Sequence, residues 1–203
     1  AKDGPGKLYY RLGLRYAPAD LAMKAESQGF SVFRSYEPLA QGGEPADPES
    51  VRRMPDGSYE IKAGALVRVN LTLVARDRAN FVVVDDPLPA GFEGQNASFA
   101  TTLQDVSGGV TGQSYNRGGD DLWGGAEDGW WWWRPWWSFS HTELKDDRML
   151  LFANHLPAGV YTYSYTARAT TIGEFQLPPI HAEAMYAPEQ FGHGASARVR
   201  VIE

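Results

Sequence analysis

A strict alternation of apolar and polar side chains runs through several short segments of this chain. Between residues 65 and 76, Val67, Val69, Leu71 and Leu73 are separated by polar or charged residues. Successive side chains of a β-strand point to opposite faces, so this period of two predicts a strand with one buried and one solvated face. The same pattern predicts strands at residues 7–16, 30–37, 160–170, 181–186 and 197–202, and the apolar run at 81–86 predicts a buried central strand.

Turn-forming residues separate these segments and leave little room for long helices. The chain contains 22 Gly and 13 Pro among 203 residues. Pro55-Asp56-Gly57 predicts the turn of a hairpin, because glycine supplies the positive φ that such a turn needs, while residues 19–28 suggest a short helical turn. Roughly eight strands separated by turns are typical of an antiparallel β-sandwich, and we predict an all-β fold.

Charge and composition exclude several classes of partner and chemistry. The net charge is −6 and the basic residues are scattered, which argues against a surface built to neutralise nucleic-acid phosphates. No apolar run approaches the roughly 20 residues that span a bilayer, and residues 1–10 lack the hydrophobic stretch of a signal peptide, so we expect a soluble piece with no direct membrane insertion. The absence of cysteine excludes disulfides, a cysteine nucleophile and a thioester made from this chain's own residues.

Residues 104–140 differ from the rest of the chain and predict a long Gly/Trp-rich insertion in the sandwich. Trp rings gain free energy on leaving water, which argues against disorder. Three interpretations remain: a local core folded over the sandwich, a protein-interaction surface, or a flat sugar-binding platform. Adjacent rings alternate between faces in a strand, which favours burial on two sides over a flat platform. The candidate interaction residues are Trp130, Trp131, Trp132, Trp133, Trp136 and Trp137.

No arrangement of residues predicts catalysis, a cofactor or a metal. The motifs of zinc peptidases, nucleophile elbows and nucleotide-binding loops are absent, and the acidic residues of the insertion lack the spacing of a calcium loop. The remaining candidates are interpreted as solvated strand faces or as charges at strand ends that pair with nearby bases: His141 with Glu143, His181 with Glu183, and Asp85-Asp86 with Arg148. We therefore expect a chain that is not an enzyme.

A series of short motifs in a fixed order carries a family resemblance. The motifs are Phe81-Val-Val-Val-Asp-Asp-Pro-Leu-Pro-Ala-Gly-Phe-Glu93, Glu143-Leu-Lys-Asp-Asp-Arg148, Leu156-Pro-Ala-Gly159, Tyr163-Ser-Tyr-Thr-Ala-Arg-Ala-Thr-Thr170, Thr171, Gly173, Phe175, Pro178-Pro179 and Ala184-Met-Tyr-Ala-Pro188. Over residues 7–193 their order resembles the last macroglobulin-like domain of bacterial α2-macroglobulins. The Trp-rich segment is not part of the shared pattern.

The resemblance implies a fold and a division of the chain. Residues 29–203 would form the C-terminal macroglobulin-like sandwich, of the fibronectin III-like type, with the insertion at about 104–140. Residues 1–28 would be a lead-in strand and linker at the end of a preceding CUB-like domain. The family's members are large protease traps, in which cleavage of a bait region leads a thioester in a separate helical domain to link covalently to the attacking protease.

By the same resemblance, this chain would be a non-catalytic domain that packs against the thioester domain and shields it. The family's Met-Tyr maps onto Met185-Tyr186, with Pro188 following. A bulky aromatic ring over a reactive acyl carbon would exclude water and amines until activation. A second interpretation is that Tyr186 ends a strand and packs within its own domain.

The resemblance also implies partners and a location. The partners would be the thioester and CUB-like domains of the same parent chain, target proteases reached through the parent, and a cell-wall synthase of the penicillin-binding class. The parent would be periplasmic or in the cell envelope, with a lipid anchor. A different class of function remains open, an aromatic-rich carbohydrate-binding β-sandwich in which Trp136 or Trp137 contacts the sugar.

Overall fold

The structure is a computed structural model that describes residues 3–14, 22–41, 44–95, 112–116 and 139–203. A short 3-10 helix spans Pro48–Ser50. The strands formed by the described residues, numbered along the chain, are β1 (Glu26–Gln28), β2 (Phe30–Pro38), β3 (Val51–Arg53), β4 (Tyr59–Lys62), β5 (Leu66–Ala75), β6 (Ala79–Pro87), β7 (Phe92–Gln95), β8 (Gly112–Asn116), β9 (His141–Leu144), β10 (Arg148–Leu156), β11 (Gly159–Ala169), β12 (Gly173–Leu177), β13 (His181–Ala184), β14 (Ala187–His193) and β15 (Ala197–Ile202).

These strands form three sheets. A six-stranded sheet has the order β1-β14-β13-β6-β10-β9, and a five-stranded sheet has the order β2-β5-β11-β7 with β8 also paired to β11. A four-stranded sheet has the order β12-β15-β4-β3. Within this part of the chain the strand pairs are antiparallel, except that β4 and β15 run parallel. The predicted antiparallel β-sandwich is confirmed, with one parallel pair that the sequence pattern did not indicate.

The core is one cluster of buried side chains from all three sheets, and the four-stranded sheet contributes Ile61 and Val199 among others. On β5 and β11 the buried partners Leu71 and Tyr163 face each other in register, as do Val69 and Tyr165. Full burial of an apolar side chain of this size contributes roughly 1.5–3 kcal/mol. The alternation read from the sequence is therefore confirmed on both strands, and the run at 81–86 forms a central strand, since β6 lies between β13 and β10.

The predicted hairpin at residues 55–57 is also confirmed. It joins β3 to β4, and Gly57 has a φ of 85°. The Gly57 N–H donates to the carbonyl of Met54 at 3.0 Å, and Asp56 accepts from the backbone N–H of Ser58 at 2.9 Å. The Pro-Asp-Gly motif thus predicted this turn correctly, and for the reason found in the structure: Gly57 supplies the positive φ.

The prediction of a strand at residues 7–16 is wrong over the part that the structure describes. Residues 7–14 have no strand conformation, and Leu8, Leu12 and Leu14 are exposed. A strand needs a neighbouring edge to satisfy its backbone groups, and none of the strands described above pairs with this segment. The suggested helical turn at 19–28 is also wrong in its described part, because residues 22–25 are irregular and β1 follows.

One residue near the end of the Gly/Trp-rich insertion belongs to the core. Phe139 is buried, and its ring lies edge-on to that of Tyr163 with 6.1 Å between ring centres. Within the insertion, β8 adds to the five-stranded sheet through β11. The seven Trp residues lie outside the described residues.

Candidate interdomain surface

The β13–β14 hairpin carries the Met185-Tyr186 pair that the sequence resemblance singled out. Ala184 and Ala187 pair across the hairpin, so Met185 and Tyr186 are its two turn residues. Neither has a positive φ, unlike the turns that most two-residue hairpins favour. The register of the hairpin instead shifts between Glu183 and Ala184. This turn therefore presents two bulky side chains where glycine or asparagine is usual.

Both turn side chains point out of the fold. Tyr186 is 80% exposed and Met185 is 44% exposed. Pro188, the third predicted residue, is also exposed and lies two positions further along β14. Tyr186 therefore lies outside the core, although its ring contacts another residue of the same domain, Phe81.

The turn is tied to the start of β6 by one backbone hydrogen bond. The N–H of Met185 donates to the carbonyl of Phe81 at 2.9 Å. This bond continues the β13–β6 ladder by one residue beyond the Ala184–Val82 pair. The position of the turn is thus set by the central strand of the six-stranded sheet.

Phe81 is the first residue of the motif at residues 81–93, and no site role was predicted for it. Its φ is 53°, the one positive φ among the described residues other than glycine. A bulky residue in this region costs roughly 1–3 kcal/mol and commonly marks a functional site. Phe81 is 46% exposed, and its ring lies edge-on to the ring of Tyr186, with 5.2 Å between centres and an interplanar angle of 86°.

Phe81, Met185 and Tyr186 together form one exposed apolar group, which we call the tip patch. Phe81 lies near the start of β6, and Met185 and Tyr186 lie in the turn that follows β13, the strand next to β6 in the six-stranded sheet. Exposed apolar clusters on soluble domains commonly mark a surface that another protein part covers. The tip patch can therefore exclude water from whatever lies against it, and its phenol can donate or accept one hydrogen bond.

A buried polar network fixes β6 against the five-stranded sheet. The Arg34 guanidinium of β2 contacts the Asp86 carboxylate at 2.5 Å and also donates to the carbonyl of Pro87 at 3.0 Å. It reaches the carbonyl of Pro178 at 2.5 Å. On the other side, the Tyr165 hydroxyl donates to Asp86 at 2.7 Å. One buried carboxylate thus connects β2, β6 and β11.

Burial and charge act in opposite directions in this network. Burial raises the pKa of the Asp86 carboxyl. The attraction of Arg34 and the hydrogen bond from Tyr165 lower this pKa and so offset part of the increase. Burial, the largest single effect, would lower the pKa of Arg34, but the attractions of Asp86, Tyr36 and Tyr165 and the hydrogen bond to Asp86 together outweigh it, so the pKa lies above its ordinary value. Burial likewise raises the pKa of Tyr165, so at neutral pH its hydroxyl keeps the proton that it donates.

The other candidate polar pairs lie on solvated strand faces, as predicted. His181 Nε2 is 3.2 Å from a carboxylate oxygen of Glu183, and Glu143 lies 3.8 Å from Lys145. Asp85 pairs with Arg148 at 2.9 Å. Across the parts of the chain that the structure describes, no three His, Asp or Glu side chains are arranged to hold a metal ion.

Two further sequence predictions concern features that the site does not include. The six candidate Trp residues, with the interaction surface and the sugar contacts predicted for them, lie outside the described residues. In the described ranges, no helix has the length and apolarity to cross a bilayer.

Comparison with known proteins gives the family of the chain. The family model described as "Bacterial Alpha-2-macroglobulin MG10 domain" matches residues 29–189. The chain is 30% identical over 200 residues to Circularly permutated Ras protein 2 of Dictyostelium discoideum, covering 98% of this chain and 4% of that protein. It is 30% identical over 170 residues to the alpha-2-macroglobulin of Pasteurella multocida, covering 83% of this chain and 7% of that protein.

A solved structure shows the same fold. The crystal structure of Salmonella alpha-2-macroglobulin reacted with methylamine has a TM-score of 0.56 and 24% sequence identity, covering 93% of this chain and 10% of that chain. In each of these proteins the matching region is a small part of a much longer chain. Because the family model spans most of its residues, the chain belongs to the bacterial α2-macroglobulin family as an MG10 domain.

Proposed function

We propose that this chain is a non-catalytic domain of a larger protease-trapping α2-macroglobulin, and that its tip patch covers the thioester of a separate domain. Tyr186 would lie over the acyl carbon, with Met185 and Pro188 alongside it. The observation that carries this proposal is the 80% exposure of Tyr186 on a turn that is hydrogen-bonded to the central strand of a sheet.

The geometry of the tip patch supports this proposal for two reasons. An exposed apolar cluster is more favourable when another domain covers it, because apolar area leaves water. A hairpin turn anchored in a sheet also presents its side chains at a defined position, as a shield over one bond requires. A flexible loop would lose more conformational entropy when the two domains dock.

The chemistry of a thioester explains why a shield is needed. An amine or water attacks the acyl carbon, the new bond to nitrogen or oxygen forms, and the carbon–sulfur bond breaks. The sulfur leaves as a thiolate, and the proton of the nucleophile goes to it or to solvent. An aromatic ring over the acyl carbon blocks the approach of the nucleophile, and exclusion of water suppresses hydrolysis.

The uptake rate of methylamine by the full-length parent tests the proposal. We expect the Tyr186→Gly variant to take up methylamine roughly tenfold faster or more, equivalent to a barrier lower by about 1.4 kcal/mol. Intact mass against time gives this rate, because each modified chain gains one methylamine. An uptake rate equal to that of the wild type would overturn the shielding role.

Ile172 supplies a matched control. It is an exposed apolar residue just after Thr171, whose N–H donates to the carbonyl of Gly91 beyond the far end of β6. The strand residues from Phe81 to Pro87 cover roughly 20 Å at 3.3 Å per residue, so Ile172 lies away from the tip patch. Ile172→Gly should leave the rate unchanged, and equal acceleration in both variants would point to general loosening of the domain.

The remaining parts of the proposal concern the parent protein. We propose that residues 1–28 are the lead-in segment from a preceding CUB-like domain, in which the alternating segment 7–14 finds a strand partner. The parent would act on proteases in the periplasm or cell envelope, held there by a lipid anchor and linked functionally to a penicillin-binding cell-wall synthase. Membership of the bacterial α2-macroglobulin family supports these roles.

A further inference from the structure

The backbone at Phe81 adopts a conformation that its side chain disfavours. Its φ of 53° places the Cβ of an L-residue close to the following carbonyl oxygen. Glycine would adopt this conformation without that clash. The chain therefore places a large aromatic ring where the backbone alone would favour glycine.

The strand around Phe81 holds this conformation in place. Val82, the next residue, pairs with Ala153 of β10 and with Ala184 of β13. The preceding Asn80 pairs with His155 of β10, and its side-chain Oδ1 accepts a hydrogen bond from His155 Nδ1 at 2.8 Å. The backbone is thus fixed on both sides of the disfavoured residue, as expected where a strained conformation is retained.

The result of this conformation is a specific ring contact. The alternation of β6 breaks at its start, where Asn80 and Phe81 are both exposed before Val82 is buried. The Phe81 ring then meets the Tyr186 ring edge-on at 5.2 Å, a geometry that aromatic pairs prefer. Phe81 is 46% exposed and is not part of the buried core cluster, so its ring meets Tyr186 at the surface of the domain.

We propose that Phe81 is a positioning residue for Tyr186: its disfavoured backbone conformation directs its ring to hold the phenol at one orientation on the tip patch. The consequence for thioester shielding rests on the proposed function, whereas the positioning itself does not. Phe81 would limit rotation of the Tyr186 side chain before the partner domain is bound, and so reduce the entropy lost when the shield docks.

The first test measures the Tyr186 ring directly, with 3-fluorotyrosine placed at position 186 of the full-length parent, after methylamine treatment so that the ring is not held by a docked thioester domain. The Phe81→Gly variant removes the ring and relieves the backbone conformation, so it should not weaken the fold. We expect its ¹⁹F resonance to shift and to narrow, because the neighbouring ring current disappears and the side chain rotates more freely. An unchanged resonance would overturn the positioning role, whatever the thioester does.

The second test asks whether Phe81 acts through Tyr186 in the shield. We expect Phe81→Gly to increase the methylamine uptake rate by roughly two- to tenfold, the range that corresponds to the strength of an aromatic pair. The double variant Phe81→Gly/Tyr186→Gly should react no faster than Tyr186→Gly, since contacts in one unit are not additive. If the rate increases of the two single variants multiply in the double variant, the inference is overturned, because Phe81 would then act independently of Tyr186.

The two tests separate failure of this inference from failure of the proposed function. If Tyr186→Gly has no effect on uptake while the ¹⁹F resonance responds to Phe81→Gly, the shielding function fails and the positioning role stands. If Tyr186→Gly accelerates uptake while Phe81→Gly changes neither the rate nor the resonance, the shield stands and the positioning role fails. Phe81→Leu, which keeps an apolar side chain without a ring, should behave like Phe81→Gly in the resonance test.

Discussion

Asp85 and Asp86 are consecutive residues of β6, and their carboxylates lie on opposite faces of the six-stranded sheet. Asp85 is partly exposed and pairs with Arg148 at 2.9 Å on the solvated face. Asp86 is fully buried, between Arg34 of β2 and the hydroxyl of Tyr165. Two identical side chains thus have different physical roles because successive residues of a strand alternate between faces.

Loss of the buried carboxyl group should destabilise the chain more than loss of its neighbour. Asp86→Asn replaces one of the two oxygens that bond Arg34 and Tyr165 by an NH2 group that cannot accept, and a buried polar group left without its partner costs about 1–3 kcal/mol. Asp85→Asn removes a pair near the surface and should cost about 1 kcal/mol or less. Urea unfolding of both variants gives the comparison, and equal losses would contradict the assignment of Asp86 as the polar centre of the core.

The cost of Asp86→Asn should depend on pH in an unusual direction. Because burial raises the folded-state pKa of Asp86 above its ordinary value of 3.8, the folded chain binds the proton more tightly than the unfolded chain. Stability due to this group is therefore fully present below the ordinary pKa and declines as pH rises through the raised folded-state pKa.

The raised pKa predicts how the unfolding free energies of the wild type and the Asp86→Asn variant differ with pH. The stability lost in Asp86→Asn should grow as pH is lowered from about 7 to about 4, because only the wild type gains from protonation at this position. The unfolding free energy is measured for both proteins at each pH. The difference between the two values removes the contribution of the other titratable groups, which both proteins share. A loss that shrinks on acidification would show that the ion pair with Arg34 depresses the pKa instead.

A close approach between strands should make Gly192 intolerant of a side chain. Gly192 lies on β14, and a Cβ placed there would stand 2.2 Å from the carbonyl oxygen of Phe30 on β2. This oxygen belongs to backbone and cannot rotate away, so Gly192→Ala should cost about 1–3 kcal/mol through overpacking. Gly13→Ala is the control, since nothing lies within 4 Å of a Cβ at Gly13; thermal unfolding that ranks the two variants equally would contradict this packing.

The segment at residues 7–14 should be protected only in a longer chain. In this chain its backbone pairs with none of the described strands, and Leu12 is 90% exposed. Amide hydrogens without partners exchange rapidly, so we expect fast exchange here and slow exchange in the full-length parent, where a preceding domain would supply a strand partner. Equally fast exchange in both would contradict the lead-in role proposed for residues 1–28.

Local patterns predicted the strands whose alternation reflects a buried face. On β5, for example, Val69 and Leu71 are apolar because they face Tyr165 and Tyr163 across a ladder inside the core. The same alternation at residues 7–14 predicted a strand that the described structure lacks. A period of two shows that a segment suits a strand, but the strand forms only where a neighbouring edge is present.

The candidate site was predictable in part. The family resemblance singled out Met185 and Tyr186, and both are exposed at one hairpin turn. The sequence did not single out Phe81, because its role depends on a positive φ and on a contact 105 residues along the chain. For Asp86 the sequence predicted a strand-end charge, because the partner Arg34 comes from another sheet.

Photo-crosslinking from position 186 of the full-length parent tests the central claim most directly. With p-benzoylphenylalanine in place of Tyr186, we predict a crosslink to the separate domain that would carry the thioester, and loss of that crosslink after methylamine treatment. The same probe at position 172 should give no crosslink to that domain. Crosslinks from position 186 that go elsewhere, or that form equally before and after methylamine treatment, would contradict the account.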